Sequence, residues 1–321
     1  MDGLHVVLGA TGGAGGAVVR ELVARRLPAR ALGRKDAQFP DGVEYVRGDA
    51  ADPATLRRVC QGAAVVYHCI NVPYAQWERT LPQLAQRVLQ ACAEAGARLV
   101  VMDNLYMYGP VDGPITEETP RRAVGPKGRL RAQLEETFLN AHRERKVDVC
   151  IARASDFYGP PSAGGKGNNL AAQLVLEPAV AGKRATWLGS LDVPHTLAYL
   201  PDVGRNLVTL AESPRAFGQV WHLPAAEPIT GREFIELVFE ALGRPPRIGT
   251  PVRRWMLALA GLFSRDLREV AEVLYQFERP FIVDAAKFQQ ALGGHVTPHR
   301  QAIRETVAAW DGGPGHGPGI A

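Results

Sequence analysis

No apolar run in this chain approaches the roughly 20 residues that a bilayer-spanning helix needs, which excludes a transmembrane helix. Blocks of like charge are also missing, so no basic arm of the kind that grips nucleic acid is expected. Cysteine is scarce: Cys60, Cys69, Cys92 and Cys150 are the whole supply. All four sit in apolar segments without metal or redox spacing, which argues against a disulfide framework or a metal centre. No charged-then-apolar leader opens the chain, because residues 4 to 8 already read as a strand. Reduced structural thiols and a cytoplasmic location are expected.

What is present is an ordinary globular composition over 321 residues, enough for one large domain or a large domain with a small one. The net charge of +4 is carried mostly by arginine. That mild basicity suits an anionic ligand such as a phosphorylated cofactor, and equally a solvated arginine-rich surface. Along the chain, "LHVVL", "ARALGRK", "VEYVRGD", "AAVVYHCINVPY", "ARLVVMDNLYMYG" and "VDVCIARASDFYGP" are continuous apolar strands, and helical stretches alternate with most of them. Doubly buried strands of this kind predict an α/β fold: a Rossmann-type, doubly wound parallel sheet. Asp52 and Thr230 are candidate N-caps. Past residue 160 the pattern loosens into "PPSAGGKGNN", a returning strand "QVWHLP" and a helix "TGREFIELVFEALG". The expected division is a nucleotide-binding domain over 1–182, joined again by 201–224. A smaller interleaved C-terminal substrate lobe then covers 183–200 and 225–311, with a disordered tail at 312–321. "RRWMLALAGLF" at 253–263 is expected to be a lid or core helix over the substrate pocket, with a membrane-surface helix as the alternative.

Gly9, Thr11, Gly12, Gly13 and Gly15 belong to a glycine-rich turn between the first strand and the first helix. The spacing lets backbone approach a pyrophosphate seated on the helix N-terminus. At the end of the second strand stand Arg34 and Lys35, with no acidic residue before Asp36. An acid there would hold a ribose 2′-hydroxyl, whereas an arginine accommodates a 2′-phosphate, so NADP(H) is the expected cofactor. Asp49, ending the third strand, is placed to accept from the adenine amino group, and Asn71 follows the fourth strand on the cofactor side.

These elements, with "GATGGAGG", "GD" at 48–49, "MYG" at 107–109, "ARASDFYGP" at 152–160 and "LPDVGRNLV" at 200–208, resemble the short-chain dehydrogenase/reductase superfamily, nearest its extended and atypical members. Many of those carry the label NAD-dependent epimerase/dehydratase. The resemblance implies a Ser or Thr where Asn104 stands, and a Tyr and Lys where Lys127 and Arg131 stand. All three catalytic identities are therefore replaced. The Lys127-Arg129-Arg131-Glu135 pattern is similar to that of isoflavone-reductase-like proteins, where the first Lys is the acid/base. Lys127 is expected to exchange the proton, tuned by a guanidinium one turn away. On the same resemblance Arg131 would hold the nicotinamide ribose, and Asn104 would donate to the substrate oxygen. A surface helix carrying idle cations is the competing expectation.

Tyr106, Tyr158 and Asp156 lie at strand ends on the ligand side and remain alternative proton carriers. Tyr108 is expected to pack, and His68 to be a core histidine. His195 stands where nucleotide-sugar enzymes of the superfamily usually carry an arginine for the diphosphate, which lowers the expectation of such a substrate. With Tyr74, Trp77, Tyr158 and Trp187 it would line a pocket for a small apolar or aromatic carbonyl compound. The leading reading is an NADPH-dependent reductase. A silent NADP-binding sensor and an epimerase or dehydratase are kept beside it, and a homodimer through 77–95 and 127–143 is expected from the resemblance.

Overall fold

Six apolar strands that cannot face water on either side must be covered on both faces; five are, while the edge strand Val43–Arg47 is only half-buried. A computed structural model describes residues 3–165, 169–262 and 265–311, except the side chains of 265–267 and 311. The expected tail at 312–321, part of the Gly/Pro/Asn-rich loop (166–168) and Phe263 of the apolar helix lie outside the described residues. In chain order come β1 (Leu4–Leu8), α1 (Gly13–Ala24), β2 (Ala29–Gly33), β3 (Val43–Arg47), α2 (Pro53–Cys60) and β4 (Ala63–His68). They are followed by α3 (Trp77–Ala95), β5 (Arg98–Asp103), α4 (Pro126–Arg143) and β6 (Val149–Arg153). With the strand Val220–His222 these form a seven-stranded sheet, ordered Val220–His222, β6, β5, β4, β1, β2, β3. Every pairing in it is parallel. The order reverses between β1 and β4, so the ligand crevice opens there, beyond the strands' C-terminal ends.

One face packs Val6, Leu8, Val66, Leu99 and Ile151 against Leu56, Trp77, Val88 and Phe138 of α2, α3 and α4. The other packs Val7, Val65, Tyr67 and Val100 against Val18 and Leu22 of α1 and Leu207 of the helix Leu200–Glu212. That helix lies backbone-close on α1, because a Cβ on Gly204 would sit 2.5 Å from the Ala17 carbonyl oxygen. Asp52 caps α2 through Ala54 N and Thr55 N, and Thr230 caps the helix Gly231–Ala241 in a reciprocal box with Glu233. Among the described residues the four cysteines are free thiols.

The sixth strand is shorter than its apolar run. β5 turns away after Asp103 and the edge strand ends at His222, so beyond Arg153 the main sheet has no partner to offer. Asp156–Tyr158 instead pairs with Leu197–Tyr199, while Pro194–His195 pairs with Ile229–Thr230. These two small sheets sit in a separate core built on Tyr158, Trp187, Phe234, Phe239 and Phe277. The helix within 253–263 runs Arg254–Ala260 and buries Leu257, but leaves Trp255, Leu259 and Leu262 exposed. Among the described residues no helix is long and apolar enough to cross a membrane.

Candidate functional site

The glycine turn is built for close approach. Gly9 takes φ +83°, the left-handed region that glycine enters without strain, and its carbonyl accepts from Gly12 N at 3.0 Å. A Cβ on Gly15 would lie 2.3 Å from the Gly9 oxygen, so strand and helix meet only because that position is bare. Gly12 is the N-cap of α1 and supplies no capping side chain. The first-turn N–H groups therefore face the crevice open to an anion, and the residues present fit a dinucleotide pyrophosphate.

Beside this turn, a Cβ on Gly33 would strike Thr11 and the Tyr45 hydroxyl, which places the end of β2 against the cradle. Arg34 and Lys35 follow, both exposed, and neither side chain has a hydrogen bond or ion pair among the described residues. The adjacent acid, Asp36, is taken by Arg47 at 2.8 Å. Asp49 is exposed after β3, with one oxygen accepting from Ala51 N. Asn71 is exposed after β4, and its Oδ1 accepts from Val72 N and, at 3.4 Å, from Arg131 Nη2.

At the catalytic end α4 settles directly on the turn Tyr106–Tyr108: a Cβ on Gly128 would meet the Tyr106 carbonyl oxygen at 2.5 Å. Lys127 and Arg131 leave the helix toward different partners. Lys127 Nζ pairs with Glu269 and, at 2.8 Å, with Glu272, both on the helix Arg265–Val273. Glu272 Oε1 also accepts from Lys127 N at 2.9 Å, so a remote carboxylate caps a helix that has no N-cap side chain of its own. Arg131 Nη1 donates to Asp103 at 3.0 Å, and its guanidinium lies 4.1 Å from the Trp77 ring centroid. Each cation faces its own carboxylates, and Lys127 is 3% exposed.

Asn104 Oδ1 accepts from Tyr106 N at 3.1 Å, which fixes the amide's orientation and leaves its NH2 without a partner among the described residues. The Tyr106 and Tyr74 hydroxyls meet at 2.7 Å. Lys127 Nζ lies 5.2 Å from the Tyr74 ring centroid. Burial, before any other cause, pushes both phenols above their usual range. Asn71, Tyr74, Asn104, Tyr106, Lys127 and Arg131 therefore converge at the end of β4 and β5.

Other expected residues go elsewhere. Trp77 is 1% exposed and Trp187 4%, each packed in a core, so neither offers a face to a ligand. The aromatic lining on which an apolar substrate rested is reduced to Tyr74. Tyr158 is buried too, its hydroxyl against His299 Nδ1 at 2.9 Å, away from the Asn104 cluster. His195 is 1% exposed, stacked between Phe277 and Phe281. Tyr108 packs, bonded to Arg153 and His222, and His68 is a core histidine that burial and then Arg131 push down to about 4. Glu269 and Glu272 were not foreseen. Their only trace in the sequence is a pair of acids three apart on a polar helix more than a hundred residues downstream of Lys127.

The profile of the NAD dependent epimerase/dehydratase family matches residues 5–223. The chain is 29% identical over 255 residues to 2'-dehydrokanamycin reductase of Streptomyces kanamyceticus, covering 76% of this chain and 68% of that one. It is 25% identical over 301 residues to the Arabidopsis thaliana 3beta-hydroxysteroid-dehydrogenase/decarboxylase isoform 2, covering 83% of this chain but only 51% of that longer protein. In structure it superposes on the dTDP-glucose 4,6-dehydratase of Streptomyces venezuelae, solved with NAD, at a TM-score of 0.75 with 19% identity, over 95% of this chain and 96% of that one. An epimerase from Methanothermobacter thermautotrophicus gives 0.79 with 16% identity, over 96% and 92%. Fold, glycine cradle and family profile agree: the chain belongs to the NAD-dependent epimerase/dehydratase family, the extended short-chain dehydrogenases/reductases.

Proposed function

We propose that the protein is an NADPH-dependent reductase of a carbonyl compound. The observation that carries this reading is the state of the phenols at the site. Tyr74 and Tyr106 are pushed upward by burial, so both keep their protons near neutrality. Reduction of a carbonyl needs an acid, whereas oxidation of an alcohol, the opening step of an epimerase or dehydratase, needs a base. Arg34 and Lys35 beside the cradle, unpaired among the described residues, support NADPH over NADH. A reductase is also among the relatives that the chain resembles along most of its length.

When bound, the cofactor supplies a hydride to the carbonyl carbon. The Asn104 amide donates to the carbonyl oxygen. In the Tyr74–Tyr106 pair one O–H is spent between the two rings, and the other is left to deliver the proton that turns the oxygen into a hydroxyl. The Lys127 ammonium, beside the Tyr74 ring, stabilises the phenolate that remains. Arg131, held by Asp103, would donate to the nicotinamide ribose.

One observation favours a second reading, a cofactor sensor without turnover: Glu269 and Glu272 cover Lys127 almost completely. Following NADPH oxidation over a panel of ketones, aldehydes, enones and quinones separates the two. Turnover that collapses in Tyr106→Phe while NADPH still binds supports the reductase. Tight NADPH binding with no turnover on any compound moves the assignment to the sensor.

A further inference from the structure

Among β4, β5, α3 and α4 lies an internal cavity of about 20 Å3. One water molecule needs about 10–15 Å3, so the space holds one. Apolar side chains such as Leu81 and Phe138 make most of the wall, but His68, Asp103, Arg131 and Glu135 line it too. His68 is 7% exposed, and Asp103 and Arg131 are each 8% exposed. Each of these three brings an unmet polar atom. His68 Nδ1 and Arg131 Nε are buried with no hydrogen-bond partner among the described residues. Asp103 Oδ1 accepts from Arg131 Nη1, but Oδ2 has only an ion pair with Arg153 Nε at 3.6 Å, longer than a hydrogen bond. Glu135 is already engaged, one oxygen with Arg153 and the other with Arg121.

Buried polar atoms left unpaired are costly, and three of them belong to residues around one small space. Their chemistry decides what can meet them. Arg131 Nε–H only donates, and Asp103 Oδ2 only accepts. A halide could accept from the arginine but could not donate to the aspartate, and a metal cation would face a guanidinium. Water accepts two hydrogen bonds and donates two, so it satisfies both and meets His68 Nδ1 in either tautomer. The rest of Arg131 is already held. Nη1 donates to Asp103 at 3.0 Å and Nη2 to Asn71 at 3.4 Å, and Cζ lies 4.1 Å from the Trp77 ring centroid. Nε is the edge still unanchored among the described residues.

We propose that this cavity binds one water molecule bridging Arg131 Nε, His68 Nδ1 and Asp103 Oδ2, and that His68 is thereby a positioning residue for the Arg131 guanidinium. His68 acts only through the water. By anchoring Nε it fixes the plane of the guanidinium, and with it the directions in which the Nη atoms donate. The benefit to cofactor binding rests on the reading of Arg131 as the ribose donor, whereas the water does not.

The test is a crystal structure of the protein without NADPH, at a resolution that shows ordered water, beside NADPH titrations of His68→Leu, His68→Asn and Arg131→Ala. A density peak within about 3.2 Å of both His68 Nδ1 and Arg131 Nε is expected. A dry cavity, or a peak that reaches only one of the two, overturns the bridge. Leucine fills the core but offers the water no partner, whereas asparagine keeps a polar atom near the place of Nδ1. His68→Leu is therefore expected to weaken NADPH binding about 3- to 10-fold, the worth of one hydrogen bond, and His68→Asn to recover part of that loss. A histidine that merely packs gives the opposite order, with leucine the better substitute. That order overturns the positioning role, and so does affinity kept in both His68 variants but lost in Arg131→Ala. Affinity kept in Arg131→Ala sinks the ribose donor and the positioning role with it, and the density still judges the water. If His68→Leu does not fold, the density decides the bridge and His68→Asn the positioning: affinity near wild type supports it, and a loss as large as that of Arg131→Ala overturns it.

Discussion

Glu272 grips Lys127 twice, accepting from its backbone N at 2.9 Å with one oxygen and from Nζ at 2.8 Å with the other. One side chain thus caps α4 and neutralises the Lys127 side chain. Because Lys127 is buried and this end of α4 has no cap of its own, the contact is worth more than a surface ion pair. Glu272→Ala is expected to cost about 2 kcal/mol, the sum of a charge-assisted hydrogen bond and a helix-terminal charge. The exposed Arg143–Glu136 pair is the control, and Glu136→Ala is expected to cost under about 0.5 kcal/mol. Thermal melts of the two variants check this. Equal midpoints would show that Glu272 is ornamental.

Arg34 has no side-chain partner among the described residues, so its removal should leave the fold alone. Arg34→Ala is expected to weaken NADPH binding by about 10- to 100-fold, the worth of a charge-assisted contact to the 2′-phosphate, and to leave NADH binding unchanged. Cofactor fluorescence titrations with both dinucleotides read the difference directly. An equal loss for both would place Arg34 outside the ribose pocket.

Two glycines of one turn should fail in different ways. Gly15→Ala puts a methyl group 2.3 Å from the Gly9 carbonyl oxygen, backbone against backbone, so strand and helix must separate. A loss of about 1–3 kcal/mol in stability is expected, together with loss of cofactor. At Gly12 a Cβ would meet the Gly9 oxygen at 3.3 Å, and its φ of −84° suits any residue. Gly12→Ala is therefore expected to melt close to wild type and yet bind dinucleotide poorly, because its methyl group projects where the pyrophosphate must come. Parallel melting and binding curves separate the two outcomes.

The sheet and the cradle were legible because their causes are local. A strand covered on both faces has to be apolar throughout, and Gly9 to Gly15 announce a turn that only bare backbone can make. Spacing from the "YG" at 108–109 also singled out Asn104, Lys127 and Arg131, which the structure brings to the ends of β4 and β5. What spacing could not show is partnership. Lys127 is locked by Glu269 and Glu272, whose approach depends on how the C-terminal lobe folds back, and no periodicity in α4 encodes that. Trp77 and Trp187 misled for a related reason, since an aromatic residue that lines a pocket and one that fills a core look alike in sequence.

Two buried histidines should make the protein sensitive to acid. Burial first, and then Arg131 for His68 and Arg153 for His222, push both rings from 6.5 down to about 4. A lowered folded value means that the unfolded chain binds the extra proton, so stability is fully present above about 6.5 and drains away as pH falls toward about 4. Between those limits the two rings should together contribute a slope of up to about 2.7 kcal/mol per pH unit, at about 1.36 kcal/mol for each proton. His68→Phe removes one titrating ring and is expected to flatten the slope by about half of that contribution. Denaturant unfolding across pH 4 to 7 measures it, and an unchanged slope would show that His68 does not titrate on unfolding.

The proton donor can be tested most sharply by taking oxygens away one at a time. Tyr106 and Tyr74 share a hydrogen bond at 2.7 Å, so removing either hydroxyl breaks the pair while leaving a ring of nearly the same volume. If the free O–H of this pair delivers the proton, Tyr74→Phe and Tyr106→Phe should each lower kcat by about 100-fold or more, the usual share of a general acid, with KM and NADPH affinity nearly constant. The double variant should fall little further, because two residues that act as one unit are not additive. Lys127→Ala should cost less than either, since the ammonium stabilises the phenolate without being the acid. If Lys127→Ala abolishes turnover and both phenylalanine variants retain it, the lysine is the donor, and Glu269 and Glu272 must then release it during the catalytic cycle.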